Sequence, residues 1–304
     1  KRSEEFGRFV SMKAVGMTDD PPGIIHFRDI WGGIPLLAHR ISRNSRLVFE
    51  VNGLPSVELP SRFPHVARNP SLLKRVRAME DECLDRSDRI ITVSTRTARY
   101  LSGRGYGEKK ISLIPNSVDP ALADKAADIP EDLQDVVSRP EKIILYTGTL
   151  ASWQGVHTLI DALSHLKHRQ DLLLLIIASN KRNITRLKRR IASHGLSHRV
   201  VVHDRLPQRT TVSLYERAYA CVAPLARGPR NESQGCCPLK IVEAMACGTP
   251  VVASDLPSIR EMIDNGTDGM LVPPDSPRAL AHILNRLMDD RAMRDRLARR
   301  AYEK

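Results

Sequence analysis

Short apolar runs alternate with segments of helical periodicity through the second half of the chain. The apolar runs predict six strands, at Lys142–Thr147, Leu172–Ala178, Val200–His203, Cys221–Pro224, Pro250–Ser254 and Met270–Val272. The segments between them predict helices, because apolar residues recur there three and four positions apart, as they do in residues 155–168. Strands that alternate with helices predict a parallel, doubly wound α/β sheet, whose ligands bind at the carboxyl ends of the strands.

The first half carries the same alternation in shorter elements. Its predicted strands are Ile24–Phe27, Arg46–Val51, Arg89–Val93 and Lys110–Ile114. Its predicted helices cover residues 1–20 with a turn, the stretch from Ile30 to about Arg40, Ser71–Arg86 and the residues that Ser94 caps. Residues 120–140 differ, because Ala, Asp and Pro dominate and no strong period is visible. The pattern therefore predicts two α/β domains, at 1–120 and 141–304, joined by a linker at 121–140.

One stretch, Cys236–Ser254, combines candidate chemistry with a clear local structure. Pro238 suits the first turn of a helix, and Gly248 suits its left-handed end before a buried strand. On that helix Lys240 and Glu243 share one face. The helix start offers N–H groups and a cation to phosphates, and the carboxylate one turn further suits sugar hydroxyls. An ordinary exposed Lys–Glu pair fits the same residues, so residue types alone leave both interpretations open.

Four segments carry the most specific signal in the chain. They read P-L-K-I-V-E-A-M-A-C-G-T-P-V-V-A-S-D from Pro238, I-I-T-V-S at 90–94, L-I-P-N-S-V-D at 113–119 and Y-T-G-T-L-A-S-W-Q-G-V at 146–156. In this order they resemble segments of the retaining glycosyltransferases of family 4, which have the GT-B fold. The resemblance implies two Rossmann-like domains facing a cleft and a metal-independent transfer of sugar from a nucleotide diphosphate sugar, with no cofactor.

The resemblance also implies a donor site in the second domain. Its members would be Gly148, Thr149, Gln154, Gly155, Arg205, Leu206, Cys237, Pro238, Leu239, Lys240 and Glu243. Among these, Lys240 and Glu243 are the candidates for a direct part in catalysis. Glu243 matches the second glutamate of the family's E-x7-E motif, which holds the nucleotide ribose. Gly235 stands where the first glutamate of that motif would be.

The diphosphate-binding part of this site departs from the family pattern. Thr149 and Gln154 stand where family members usually carry an arginine and a lysine that touch the donor diphosphate. The resemblance therefore leaves the positive charge to Lys240, the helix N-terminus and Arg227 or Arg230 from the preceding loop. A glycine-bounded loop of this kind also fits a plain tight turn, and the Walker spacing is absent.

Polar residues follow two predicted strands of the first domain. Many family members have H-x-H at the end of the first of these strands, where the second histidine contacts the transferred sugar; this chain has His26 and Arg28. His26 and Arg28 are therefore further catalytic candidates, although a structural strand-end histidine also fits. Asp29, Glu50 and Asn52 are acceptor-side candidates that would bind an acceptor or a sugar hydroxyl.

Net charge adds a preference for anionic ligands. The chain carries 47 Lys and Arg against 35 Asp and Glu, and most of the excess lies after residue 139. The basic run at 181–190 predicts either a solvated helix face or contact with an anionic membrane surface. Nucleic acid is disfavoured as a partner, because aromatic residues are only 4% and no recognised binding signature is present.

Cysteine usage and hydropathy bear on the compartment. Five cysteines without paired metal-ligand spacing predict small core residues in a reducing compartment. No apolar run is long enough to span a membrane. We therefore predict a cytoplasmic protein, peripheral at the inner membrane face if the basic run binds lipid.

Three interpretations follow. The first is a retaining glycosyltransferase that uses a nucleotide sugar and a glycan or lipid-linked acceptor in cell-envelope or exopolysaccharide synthesis. The second is a non-catalytic nucleotide-sugar-binding subunit or an inactive fragment of the same fold. The third, a dinucleotide oxidoreductase, is disfavoured because no G-x-G-x-x-G follows a strand. We also expect a fragment, because nothing before Ile24 resembles the family's first strand and glycine-rich loop, which leaves the first domain incomplete.

Overall fold

The computed structural model describes residues 2–15, 22–125, 127–179 and 181–304. The chain forms two compact units, Lys1–Pro115 with Pro229–Cys237 and Asn116–Gly228 with Pro238–Lys304. The division differs from the predicted one, because the first unit ends before residue 120 and also takes a segment from the second half of the sequence.

The first unit is built on a four-stranded parallel sheet. Its strands are β1 (Ile24–Phe27), β2 (Arg46–Val51), β3 (Arg89–Thr92) and β4 (Ile111–Leu113), and they lie side by side in chain order. The helices are α1 (Arg2–Val15), α2 (Ile30–Ala38), α3 (Pro55–Arg62), α4 (Pro64–Ala67), α5 (Pro70–Arg86) and α6 (Thr95–Ser102). Phe27 and Phe49 stack within the core with ring centroids 4.8 Å apart. The predicted cap of α6 is confirmed, since Ser94 Oγ accepts the Thr97 N–H.

The second unit is built on a six-stranded parallel sheet. Its strands are β5 (Lys142–Thr149), β6 (Leu172–Ser179), β7 (Val200–His203), β8 (Ala220–Ala223), β9 (Val251–Ser254) and β10 (Met270–Val272). They lie in the order β10-β9-β8-β5-β6-β7. The chain order therefore reverses between β5 and β8, and the carboxyl ends of strands at such a switch point form the usual ligand crevice of this sheet type.

Helices cover this second sheet. They are α7 (Glu131–Val137), α8 (Val156–Ser164), α9 (Lys181–Ser193), α10 (Gln208–Arg217), α11 (Leu239–Ala246), α12 (Pro277–Asp289) and α13 (Arg291–Glu303). Gly248 follows α11 with a φ of 64°, as the left-handed stop requires, whereas Pro238 is the N-cap rather than part of the first turn.

The strand pattern predicted from sequence is confirmed, with ends shifted by one or two residues. The linker that the sequence predicts at 121–140 is not without regular structure. A short 3-10 helix, Pro120–Lys125, and α7 lie there, and both belong to the second unit. The pattern missed α7 because only Leu133 and Val136 among its seven residues are buried. Part of the predicted first helix, residues 16–20, lies outside the described residues.

The basic run at 181–190 forms most of α9. Arg186, Lys188 and Arg189 are exposed on it, whereas Leu187 and Ile191 are buried against the sheet. The basic side chains therefore occupy the outward face of a helix that packs by its apolar face. Within the described ranges, no helix is both long and apolar enough to cross a bilayer.

Four of the five cysteines are buried, namely Cys83, Cys221, Cys236 and Cys237, and Cys247 is partly buried. All five are free thiols. Burial raises the pKa of the Cys221 thiol to about 12, so this side chain stays neutral and behaves as a small apolar group. This agrees with the prediction that the cysteines fill the core.

Candidate functional site

A cavity of about 430 Å³ lies within the second unit, at the carboxyl ends of β5 and β6. Its lining comes from the ends of these strands, the residues after β7 and the faces of α10 and α11, and consists of Thr147, Gly148, Thr149, Ile177, Ala178, Arg205, Leu206, Gln208, Thr211 and Glu243. Five of the predicted donor-binding residues are therefore brought together at one cavity, four of them from segments far from α11 in sequence.

The end of β5 must be glycine for a local reason. Gly148 has a φ of 134°, and a Cβ placed there would lie 3.0 Å from Lys240 Nζ. The strand end therefore runs directly beside the lysine ammonium group. Thr149, the next residue, is exposed, and its carbonyl accepts a hydrogen bond of 2.6 Å from the Tyr146 hydroxyl.

Lys240 is the second residue of α11, and its side chain turns inward. Only 7% of its surface is exposed. Its Nζ donates to Gln154 Oε1 at 2.8 Å and lies 4.0 Å from the centroid of the Tyr146 ring. The cation and the residue that replaces the family's lysine, Gln154, are thus hydrogen-bonded to each other beside the turn at Gly148.

Glu243 lies one turn further along α11 and is half-buried at the cavity. Its Oε1 accepts from Gln208 Nε2 at 2.8 Å, and its Oε2 accepts from the Tyr215 hydroxyl at 3.3 Å. Tyr215 is completely buried, and this burial raises its pKa well above the usual value, so the phenol keeps its proton and can donate it. A bond of 2.6 Å joins the same hydroxyl to Thr147 Oγ1.

Several predicted donor residues have other surroundings. Gly155 has a φ of 67°, and a Cβ there would overlap the carbonyl group of Pro224, so this glycine is required by backbone packing. Leu239 is half-exposed, and Pro238 caps α11. Cys237 is buried and belongs to the first unit.

The two arginines of the loop before α11 have different surroundings. Arg230 belongs to the first unit, where its Nε lies 2.6 Å from Glu58 Oε1 and its guanidinium donates to the Asn52 carbonyl. Arg227 is exposed, and its main-chain N–H donates to Asp275. The guanidinium of Arg230 is therefore held within the first unit, and its contact with the donor diphosphate stays a prediction.

Gly235, where the family has a glutamate, is fixed by close packing as well. Its φ is 89°, and a Cβ would lie 2.7 Å from the Arg96 Cβ and 2.9 Å from the Ser94 Oγ. The same segment is held by Arg96 Nε, which donates to the Glu232 carbonyl at 2.7 Å, and by Gln234 Oε1, which accepts the Leu54 N–H at 3.0 Å. This backbone leaves no room for a glutamate side chain.

A second polar cluster lies at the ends of β1 and β2 in the first unit. Glu50, 16% exposed, accepts from His26 Nε2 at 3.0 Å, from Arg28 at 2.9 Å and from Asn52 Nδ2 at 2.7 Å. His26 pairs with Val48 across the sheet, so the side chains of His26 and Glu50 leave the sheet on one face. The structure thus joins four of the predicted first-domain residues, whereas Asp29 caps α2 by accepting the Gly32 N–H.

Sequence reasoning missed Tyr146, Tyr215 and Gln208 as members of the second-unit site. Tyr146 lies in an apolar strand, and Tyr215 lies on the buried face of α10, so both match a core pattern. Only the spatial neighbours of their hydroxyl groups reveal the link to Lys240 and Glu243. Among the residues described, no group of three or more His, Cys, Asp or Glu side chains could hold a metal ion.

Comparison with known proteins gives matches over most of the chain. The sequence model described as "Glycosyl transferases group 1" matches residues 128–304, and that described as "Glycosyltransferase Family 4" matches residues 13–122. A D-inositol 3-phosphate glycosyltransferase of Xylanimonas cellulosilytica is 31% identical over 72% of this chain and 53% of its own length. The chain spans about half the length of the curated relatives it matches.

Solved structures agree in fold. Sucrose-phosphate synthase from Thermosynechococcus elongatus superposes with a TM-score of 0.80 at 24% identity, covering all of this chain and 73% of that one. Anabaena HepE in complex with UDP-glucose gives a TM-score of 0.73 at 19% identity, covering 97% of this chain and 76% of that one. The two parallel α/β sheets are therefore those of the GT-B fold.

Proposed function

Because the chain belongs to the group 1 glycosyl transferases, we propose that it moves a sugar from a nucleotide diphosphate sugar to a glycan or lipid-linked acceptor, with retention of the anomeric configuration. One observation carries the proposal. Lys240 and Glu243 lie three residues apart at the start of α11. Lys240 lies beside Gly148 at the carboxyl end of β5, and Glu243 lines the cavity that this strand end also lines. The family and the local geometry thus point to the same ligand class.

The donor would bind along the start of α11. Its phosphates would meet the Lys240 ammonium group, the positive end of the α11 helix dipole and the strand end at Gly148, where no side chain blocks approach. Its ribose would meet Glu243, since a carboxylate can accept from two hydroxyls at once. Residues three apart on a helix are separated by roughly 4.5 Å along its axis, which suits adjacent groups of one nucleotide.

Chemistry at this site would depend on stabilising the leaving group. When the bond from the sugar to the diphosphate lengthens, negative charge grows on the bridging phosphate oxygen. Lys240 is already fixed by Gln154 and Tyr146 in a nearly water-free position, so it would stabilise that charge without further reorganisation. The acceptor hydroxyl would attack from the same face of the sugar and pass its proton to the departing phosphate, so that no second protein carboxylate is needed.

The cluster around Glu50 is the proposed acceptor-side group. His26, Arg28 and Asn52 present donors, and Glu50 presents a carboxylate, to a hydroxyl-rich acceptor. We propose that the acceptor is a glycan or a lipid-linked sugar of cell-envelope or exopolysaccharide synthesis. The exposed basic face of α9 would hold the protein at an anionic membrane surface on the cytoplasmic side, where charged lipid head groups attract Lys and Arg.

A thermal-shift panel of UDP-, GDP- and ADP-sugars tests the donor site. UDP-glucose is the first to test, because HepE was solved in complex with it. We expect one nucleotide class to raise the melting temperature of the wild type and the shift to be lost in Glu243→Ala. Glu216→Ala, an exposed carboxylate on the neighbouring α10, is the matched control and keeps the shift. An unchanged response in Glu243→Ala removes this residue from the site.

A second candidate function is binding without transfer. It is favoured by Thr149, Gln154 and Arg28 in places where the family usually has charged or histidine side chains, and by the closely packed Gly235. Such a subunit would show the same thermal shift but would release no nucleotide from its sugar. A coupled assay for nucleoside diphosphate release, with and without glycan acceptors, separates the two functions.

A further inference from the structure

Two tyrosines lie beneath the start of α11 in the second unit. Tyr146 comes from β5 and Tyr215 from α10, and neither exposes any surface. They are among the largest fully buried side chains in the described part of the protein. A phenylalanine would fill nearly the same volume, so burial alone does not require the two hydroxyl groups.

Tyr146 joins three parts of the proposed diphosphate site. Its ring lies under the Lys240 ammonium group, 4.0 Å from centroid to Nζ. Its hydroxyl donates to the Thr149 carbonyl at 2.6 Å and lies 3.4 Å from Gln154 Oε1. One side chain therefore holds the lysine from below and fixes the turn that follows Gly148. A cation over an aromatic face is attracted most strongly where water is excluded, as it is here.

Tyr215 stands in the same relation to Glu243. Its hydroxyl donates to Glu243 Oε2 and is bonded to Thr147 Oγ1, and Thr249 Oγ1 donates to its main-chain carbonyl at 2.6 Å. Because a phenol has one proton, Thr147 donates to Tyr215 when Tyr215 donates to Glu243. This chain of hydroxyls fixes one carboxylate oxygen from the buried side. The other oxygen faces Gln208, an exposed side chain that a ligand hydroxyl can replace.

We propose that Tyr146 and Tyr215 are positioning residues that hold Lys240 and Glu243 for the diphosphate and the ribose of one nucleotide, respectively. The inference rests on the proposed function, and it assigns each tyrosine to one end of the ligand. A purely structural role predicts something else. Replacing either tyrosine would then lower stability and weaken all nucleotides by the same factor.

The experiment compares a nucleoside diphosphate with its 2′,3′-dideoxy analogue, which lacks the hydroxyls that Glu243 would bind. UDP, GDP and ADP are titrated calorimetrically into the wild-type chain, and the tightest binder and its dideoxy analogue are then titrated into the variants. Tyr215→Phe should weaken the natural nucleotide roughly tenfold, the usual effect of losing a hydrogen bond to a charged group, and leave the dideoxy analogue unchanged. Equal weakening of both nucleotides overturns the assignment of Tyr215.

The role of Tyr146 is tested with one variant that removes the aromatic ring and one that keeps it. Tyr146→Leu should weaken the natural nucleotide and the dideoxy analogue equally, by roughly tenfold, because both carry the diphosphate, and should leave the affinity for the free nucleoside, which carries none, unchanged. Equal weakening of the nucleoside would mean that the role of Tyr146 is purely structural. Tyr146→Phe keeps the ring under Lys240 and should restore most of the affinity. Equal losses in the Phe and Leu variants overturn the role of the ring. If Tyr146→Leu fails to fold, Tyr146→Met fills the same space with a more adaptable side chain.

Tyr219 provides the matched control within the same unit. Lys142 Nζ lies 5.1 Å from its ring centroid, and its hydroxyl donates to the Leu287 carbonyl at 2.9 Å, so it repeats the contacts of Tyr146 with a lysine at the opposite end of β5. Tyr219→Leu and Tyr219→Phe should leave both affinities unchanged. If none of the three nucleotides binds the wild type, the proposed function itself fails and the inference fails with it.

Discussion

The two polar clusters of this protein are built in opposite ways. In the second unit, Lys240 and Glu243 are each supported from the buried side by a tyrosine that exposes no surface. In the first unit, Glu50 exposes 16% of its side chain, and the charged groups that reach it, His26 and Arg28, expose 46% and 63% of theirs.

The difference concerns how much each cluster can change when a ligand arrives. A pair between exposed charged groups contributes about 0–1 kcal/mol, so His26 and Arg28 can leave Glu50 at little cost. A buried hydroxyl has no water to replace its partner, so breaking its hydrogen bond costs about 1–3 kcal/mol. The second-unit cluster is therefore preorganised, whereas the first-unit cluster can rearrange when its surroundings change.

The largest expected effect is on Lys240. Lys240→Met should weaken nucleoside diphosphate binding by about a hundredfold, since a hydrogen bond to a charged group contributes up to about 3 kcal/mol. It should not lower the free energy of unfolding, because a buried cation is replaced by an apolar side chain of similar length. Calorimetric titration and urea unfolding measure the two quantities. Retained affinity in a folded variant would remove the lysine from the donor site.

A smaller effect is expected at Glu50. Glu50→Gln places an amide N–H among groups that already donate, so the cluster opens and the KM for the acceptor should rise about tenfold. Nucleotide affinity should not change if this cluster serves only the acceptor. Glu82→Gln, on the exposed side of α5, is the control for loss of one carboxylate. A change in nucleotide affinity in Glu50→Gln would contradict the division of roles.

The smallest effect is expected at Glu80, which belongs to a buried polar network of the first unit that is separate from the cluster around Glu50. Glu80 is fully buried and accepts from the main-chain N–H and hydroxyl of Ser56 and from Arg104. Burial raises the pKa of Glu80 above its ordinary value. The stability that this group contributes is therefore complete below its unfolded pKa and is lost as the pH rises through its folded pKa.

Glu80→Gln tests that sign, because glutamine stays neutral at every pH. Urea unfolding gives the free energy of unfolding of both proteins at each pH. The value for the variant minus the value for the wild type should increase as the pH rises from about 4 to about 7. Glu108→Gln, exposed at the surface, should show no such trend. A difference that falls with rising pH would mean that the ion pair with Arg104, rather than burial, sets the pKa of Glu80.

The sequence allowed the strands to be predicted and single residues to be chosen as candidates, but it did not show which side chains contact them. Each strand of both sheets was predicted, because continuous apolar runs have few other structures available. Glu50 and Asn52 were candidates because of their places at the end of β2, and the structure joins both to His26 and Arg28, since parallel strands bring their carboxyl ends to one edge. The tyrosines were not predictable, because a tyrosine in an apolar strand or on the buried face of a helix has the same local pattern whatever its ring and its hydroxyl contact.

Arg230 shows what the local sequence does not reveal. It lies in the loop that precedes α11, and this place in the sequence suggests it as a source of charge for the donor diphosphate. In the structure its guanidinium is bound to Glu58 and to the Asn52 carbonyl. Proximity along the chain does not reveal that Pro229–Cys237 folds with the first unit. Such a partition depends on long-range contacts that no local pattern encodes.

That partition governs how chimeric relatives of this protein would have to be assembled. A hybrid with a single crossover near residue 115 would bring a foreign 229–237 segment against the native Glu58, Asn52 and Leu54. Additional crossovers after Gly228 and after Cys237 would let each half keep its own partners. Exchange of the second unit between related chains therefore requires three junctions rather than one.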